Sequence, residues 1–139
     1  MVGFSPLRRV HAKRQYRSLA RIPSAVPPAG SHVLLAVAYG RLIQSQLEAA
    51  RKAARRRLRR RGRLQLLVFA RFPLTQKPLQ SRMGRGKGRL AGRFCWVRPG
   101  QPILLLRGVS ASRARYSLVA AAAKLPLPLR IAPFRSLRT

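Results

Sequence analysis

Apolar residues run through this chain in short stretches separated by basic or turn-forming positions, and the spacing changes from stretch to stretch. Residues 33–39, VLLAVAY, form a continuous apolar run of strand length that Gly40 closes. From Ser45 onward the period becomes helical: Leu47, Ala50, Ala54 and Leu58 fall on one stripe at 100° per residue, and Gly62 is placed to end the helix. Ser45 followed three residues later by Glu48 reads as a capping box, each side chain satisfying an amide at the helix start. That gives Glu48 a structural role rather than a catalytic one.

Further strands and one more helix follow. Residues 64–70, LQLLVFA, are rich in strand formers and predict a strand buried on both faces. Residues 94–97 and 103–106 flank the turn signal RPGQP and predict a hairpin or two neighbouring strands, with Pro102 starting the second at a sheet edge. Ser110 or Ser112 can cap a last helix through RARYSLVAAAAK, with Tyr116, Val119, Ala120 and Ala123 as its inward stripe and Pro126 as its stop. The alternation in LPLPLRIAP then allows one short edge strand before a tail. Strands and helices mix without a regular βαβ alternation, which predicts an α+β fold. The turn-rich segment PSAVPPAGS, 23–31, separates this part from a basic N-terminal arm. The organisation is one domain: arm 1–31, α+β domain 32–132 with a long loop at about 72–92, and tail 133–139.

Charge changes the picture. The 139 residues hold 31 Lys plus Arg against one acid, a formal net charge of +30. Self-repulsion on that scale opposes compaction and calls for a polyanionic partner, nucleic acid being the commonest. Codon drift in a GC-rich genome would favour 26 Arg over 5 Lys, but it does not remove Asp and Glu, which both keep GC-ending codons. Around the helix stripe, Arg51, Lys52, Arg55, Arg56, Arg59 and Arg60 cover the remaining circumference. Like-charge i,i+4 pairs such as Arg51/Arg55 and Arg55/Arg59 destabilise an isolated helix, and phosphates lying against that face relieve them. The first 22 residues add Arg8, Arg9, Lys13, Arg14, Arg17 and Arg21 without an acid, a composition shared by mitochondrial presequences and nucleic-acid-binding arms.

The long loop carries the most unusual stretch, SRMGRGKGR, with glycine at every second position from Gly84 to Gly88 and a cation between each pair. Loops longer than about 12 to 15 residues are functional or disordered. FPLTQKPLQ stiffens its first limb. A nucleotide-phosphate loop needs Ser or Thr after Gly-Lys, whereas Lys87 precedes Gly88. A dinucleotide fingerprint needs a downstream acid that the chain lacks. A polynucleotide-binding finger fits: bare backbone amides approach phosphates while Arg82, Arg85, Lys87 and Arg89 supply charge.

Enzymatic chemistry has little to work with. One acid forbids paired carboxylates, and with Cys95, His11 and His32 as the only thiol and imidazoles there is no metal-ligand set, no disulfide and no oriented triad. No cofactor, metal or small-molecule substrate is expected. The apolar runs fall well short of the roughly 20 residues that a membrane span requires.

KPLQSRMGRGKG, together with QLEAARKAARRRLRRRGRL and AAAAKLP, closely resembles the universal large-subunit ribosomal protein family known in bacteria as L-sixteen. From about residue 34 to residue 126 the order AVAYGRL, the Glu-containing helix, KPL, RMGRGKG, RPG, GV and AAAAKLP fits that family without insertion. The resemblance implies an α/β-hammerhead-like domain that binds large-subunit rRNA beside neighbouring ribosomal proteins. It also implies a finger formed by Arg82, Met83, Gly84, Arg85, Gly86, Lys87 and Gly88 that reaches toward the peptidyl transferase centre and tRNA in the aminoacyl site. Arg82 matches the arginine hydroxylated in some members. Late assembly into the subunit and ordering of RNA, without catalysis, follow from the same resemblance. The chain departs from the family in three ways: few glycines in QYRSLARIPSAVPPAG, no acids at the start of the last helix, and a near-absence of acids throughout. The last points to a mitochondrial ribosome, with plastid or bacterial cytoplasm as alternatives. A cationic DNA-condensing or membrane-active protein is the reading that charge and apolar content alone would support.

Overall fold

The computed structural model describes residues 30–133 except 83 and 85. The basic arm, with Arg8, Arg9, Lys13, Arg14 and Arg17, lies outside the described residues, as do His11, Met83 and Arg85. Seven strands and two helices follow in the order β1 (His32–Ala36), β2 (Gly40–Ile43), α1 (Gln44–Leu58), β3 (Arg63–Leu66), β4 (Phe72–Gln76), β5 (Arg89–Val97), β6 (Pro102–Arg107), α2 (Ala111–Ala122) and β7 (Leu129–Pro133). They build two antiparallel sheets, β3-β6-β1-β7 and β2-β5-β4, so the α+β class holds.

The central strands β1 and β6 alternate sides as the pleat requires. Leu34, Leu104 and Leu106 join the main core with Leu47, Ala50, Ala54 and Leu58 of α1 and Ala114, Leu118 and Ala121 of α2. Val33, Leu35 and Leu105 form a second cluster with Leu67 and Ala132. The smaller sheet contributes Leu42, Cys95 and Val97 to the main core, which locks the two sheets and both helices into one body. The α1 stripe read from the periodicity is the buried one. The edge strand expected after Pro126 is β7.

Several expectations need correction. The capping box at Ser45 and Glu48 does not start α1. The helix begins at Gln44, straight out of β2, because Ile43 stays extended in its pairing with Phe94. Gln46 Oε1 instead accepts from the Ile43 amide at 2.9 Å, and Ile43 has no side-chain acceptor to return the bond. Gly40 opens β2 rather than closing β1. At its other end the helix stops at Leu58, where Arg59 and Arg60 adopt left-handed conformations ahead of Gly62 (φ 47°, 68° and 71°). A Cβ on Gly62 would meet Val109 Cγ1 at 2.6 Å and the Arg107 carbonyl at 2.7 Å, so the glycine marks a close approach of two chain segments.

The strand β3 is half-buried on one face only, since it is the edge of its sheet; the fully buried Leu67 and Val68 follow it. Strands β5 and β6 are not a hairpin and lie in different sheets. The RPGQP turn crosses between them, held by Gly100 N to Ala36 O at 2.8 Å and Ala36 N to Gln101 O at 3.0 Å. Pro102 accordingly opens an interior strand, beside a register irregularity between Leu34 and Leu35. In α2 the inward stripe is Ala114, Ser117, Leu118 and Ala121, and Tyr116 and Val119 face outward. Alanines lie on both faces of this helix, so helical spacing fits either stripe and does not by itself decide between Leu118 and the outward Tyr116 and Val119.

Candidate nucleic-acid interface

The Gly-rich stretch caps a hairpin. β4 pairs with β5 from Phe72↔Phe94 to Gln76↔Arg89, so the limb read as loop is strand down to Gln76 and the connection shortens to 77–88. Pro73 is tolerated because β4 is a sheet edge. Ser81 N donates to Pro78 O at 3.1 Å, and Lys77 Nζ donates to the Gly84 carbonyl across the loop. Gly84 and Gly86 have φ of 97° and 86° with open space where a Cβ would be, so side chains are missing there for conformation and access rather than for packing. Gly88 differs: its Cβ would strike the Gln76 carbonyl carbon and oxygen at 2.5 Å, which ties the finger's base to β4. Arg82, Lys87 and Arg89 are all exposed.

Lys52, Arg55 and Arg56 on α1 are exposed as expected, and so are Arg59 and Arg60, which the structure places in the left-handed turn after the helix rather than on it. Arg51 is not available in the same way, because Glu48 takes it in an ion pair at 3.0 Å. Both partners are about 40% exposed, and such pairs contribute little to stability. It is the one ion pair between side chains among the described residues, and the exposed cations Lys52, Arg55, Arg56, Arg59 and Arg60 face solvent.

Two features escaped the sequence reading. An open cleft runs between α1 and α2, with Ala53, Ala120 and Ala123 among its apolar lining and Arg56, Arg57, Arg59, Arg61, Arg113 and Lys124 as its cations. Arg57 lies 4.9 Å from the centre of the Tyr116 ring and donates to its hydroxyl at 2.7 Å. The outward rotation of Tyr116 creates this pair, and only the true register of α2 would have revealed it. The second feature is the outer face of the small sheet. There Phe72, Phe94 and Trp96 form an aromatic row with centroid separations of 5.7 and 5.8 Å, and the Arg41 guanidinium lies 5.5 Å from the Phe94 ring. The alternation of Phe94 and Trp96 with the buried Cys95 and Val97 was the available signal.

Cys95 lies in the main core, where burial pushes its thiol up to about 11 against a weak bond to the Leu42 carbonyl at 3.6 Å. A thiol so held is a packing group and not a nucleophile. Among the described residues no three His, Cys, Asp or Glu side chains come together to hold a metal, and no helix is long and apolar enough to cross a membrane.

The arrangement offers many uncompensated cations, a glycine-rich tip and aromatic faces, and it offers no acid–base pair. Such an arrangement suits a polyanion. Compared with known families, residues 7–132 match the one described as ribosomal protein L16p/L10e.

Proposed function

Because the chain belongs to the ribosomal protein L16p/L10e family, it is a structural, non-enzymatic component of the large ribosomal subunit, and we propose that it works there as an electrostatic clamp on rRNA. Its partners as a family member are rRNA and neighbouring ribosomal proteins. The exposed cations of α1 and the turn after it (Lys52, Arg55, Arg56, Arg59 and Arg60) neutralise phosphates, and the basic arm with Arg8, Arg9, Lys13, Arg14 and Arg17 adds to the footprint. The finger carrying Arg82, Met83, Gly84, Arg85, Gly86, Lys87, Gly88 and Arg89 extends toward the peptidyl transferase centre and helps seat tRNA in the aminoacyl site.

The observation that carries this reading is the hairpin itself: a rigid two-stranded base ending in a tip whose described cations are exposed and whose glycines leave the backbone bare. Backbone amides and cations together suit phosphates, and they do so without reading base sequence. Arg82, by its place in the motif, is the candidate for hydroxylation, which mass spectrometry of the protein from intact subunits would detect. The near-absence of acids supports a mitochondrial ribosome, and recovery in large subunits fractionated from purified mitochondria is the check.

If roughly ten cations contact phosphate, binding to large-subunit rRNA fragments should weaken with salt at a log–log slope steeper than about −6. A slope near zero refutes the clamp. Subunits carrying both Arg82→Gln and Lys87→Gln are expected to bind aminoacyl-site tRNA more weakly than wild type, and unchanged tRNA binding refutes the finger's role.

A further inference from the structure

We propose that the cleft between α1 and α2 is a second RNA-binding site, taking a sugar–phosphate backbone with the Arg57–Tyr116 pair as its fixed point. It rests on the rRNA-clamp reading and goes beyond it by carrying the face of α1 and the turn after it, with which it shares Arg56 and Arg59, across the cleft to Arg57, Arg61, Arg113, Tyr116 and Lys124. The cleft collects Arg56, Arg57, Arg59 and Arg61 from α1 and the turn that follows it. Arg113 and Lys124 come from α2 and its C-terminal flank. Six cations share the cleft without an acid, since Glu48 is engaged by Arg51 and is not part of the lining. Cations held this close repel one another unless an anion lies among them.

Its shape and chemistry favour nucleic acid. Ala53, Ala120 and Ala123 carry only methyl groups, which lets a chain approach the helices closely and gives ribose an apolar surface. Five of the six cations are arginines, whose planar fork binds phosphate in a bidentate way. Arg57 is already ordered by its stack and hydrogen bond on Tyr116, which spends one of its five N–H donors. Ordering before binding lowers the entropy lost when the phosphate arrives. Tyr116 is 56% exposed, so the ring can also receive a ribose or base edge. An acidic protein segment would need a run of carboxylates to match the one-phosphate-per-nucleotide density of RNA.

The test uses full-length protein assembled into purified large subunits, with a photo-cross-linking benzoylphenylalanine at position 116 and, in a separate preparation, at position 87. An rRNA adduct from position 116 is expected, at nucleotides different from those reached from 87. An adduct from 87 to rRNA with none from 116, or with 116 attached only to protein, overturns the cleft site and leaves the clamp standing. No rRNA adduct from either position overturns both.

With rRNA fragments, the Arg57→Gln and Arg113→Gln double variant should flatten the log–log salt slope by about 1.4–1.8, at roughly 0.7–0.9 per lost phosphate contact. Tyr116→Phe keeps the ring, removes the hydroxyl that orders Arg57, and should weaken binding about threefold to tenfold. Because Tyr116 and both arginines are exposed, circular dichroism of these variants is expected to match wild type. Unchanged slope and affinity in both variants would refute the cleft.

Discussion

Cys95 shows how a single side chain can be packed rather than used. It is buried between Leu42 and the main core, and its thiol is raised to about 11 from an ordinary value near 9.0. The folded state therefore holds its proton where the unfolded state has already lost it. Between about pH 9 and pH 11 the unfolded chain binds fewer protons, so stability present below pH 9 is lost as pH rises through this window. Urea unfolding with bound rRNA across this range should show the decline, and Cys95→Ala should remove that part of it. If the pH dependence persists unchanged in the variant, the thiol is not its source. Individual residues were partly legible in advance. The sequence assigns Glu48 to a capping box with Ser45, yet its partner is Arg51, because the strand register at Ile43 decides where the helix begins.

Among the elements, the β4–β5 hairpin depends on a glycine in a way that its neighbours do not. A methyl group at Gly88 would overlap the Gln76 backbone, which cannot move without breaking the strand pairing at the finger's base. Gly88→Ala should destabilise by about 1–3 kcal/mol, as overpacking does, whereas Gly92→Ala meets nothing within 4 Å and should be neutral or slightly stabilising. Urea melts of the two variants bound to rRNA separate them, and equal midpoints would show that Gly88 is not a packing constraint. Legibility at this scale followed contrast between faces. In α1 arginine and leucine differ so strongly that periodicity alone found Leu47, Ala50, Ala54 and Leu58. In α2 alanine lies on every side, and the stripe was placed on Tyr116 and Val119 instead of Leu118. The division of β5 and β6 between two sheets was not legible either, because long-range pairing leaves no local trace in RPGQP.

For the whole molecule, the surplus of +30 sets the conditions for folding. The described core is one body built on alanines and leucines, and most of the surface cations face no acid. The free protein at low ionic strength should show weak secondary structure by circular dichroism. It should gain helix and strand signal on adding rRNA or sulfate, which screen or neutralise the repulsion. A spectrum already complete at low salt and unaltered by RNA would show that the core outweighs the charge unaided. The polyanion partner was legible at this scale from composition alone. The cleft was not, because Arg57 and Tyr116 are 59 positions apart along the chain and meet only when both helices lie on the same sheet.

One strand, β5, begins at the finger's base with Arg89 and ends in the hydrophobic interior with Val97. It acts as a lever with its fulcrum in the core, so whatever pushes on the tip is resisted by the packing around Leu42 and Cys95 rather than by the loop. A single residue inserted between Arg89 and Phe94 would turn the outer half of that lever over. The finger would then be aimed by the wrong face of the sheet, with every one of its cations still present.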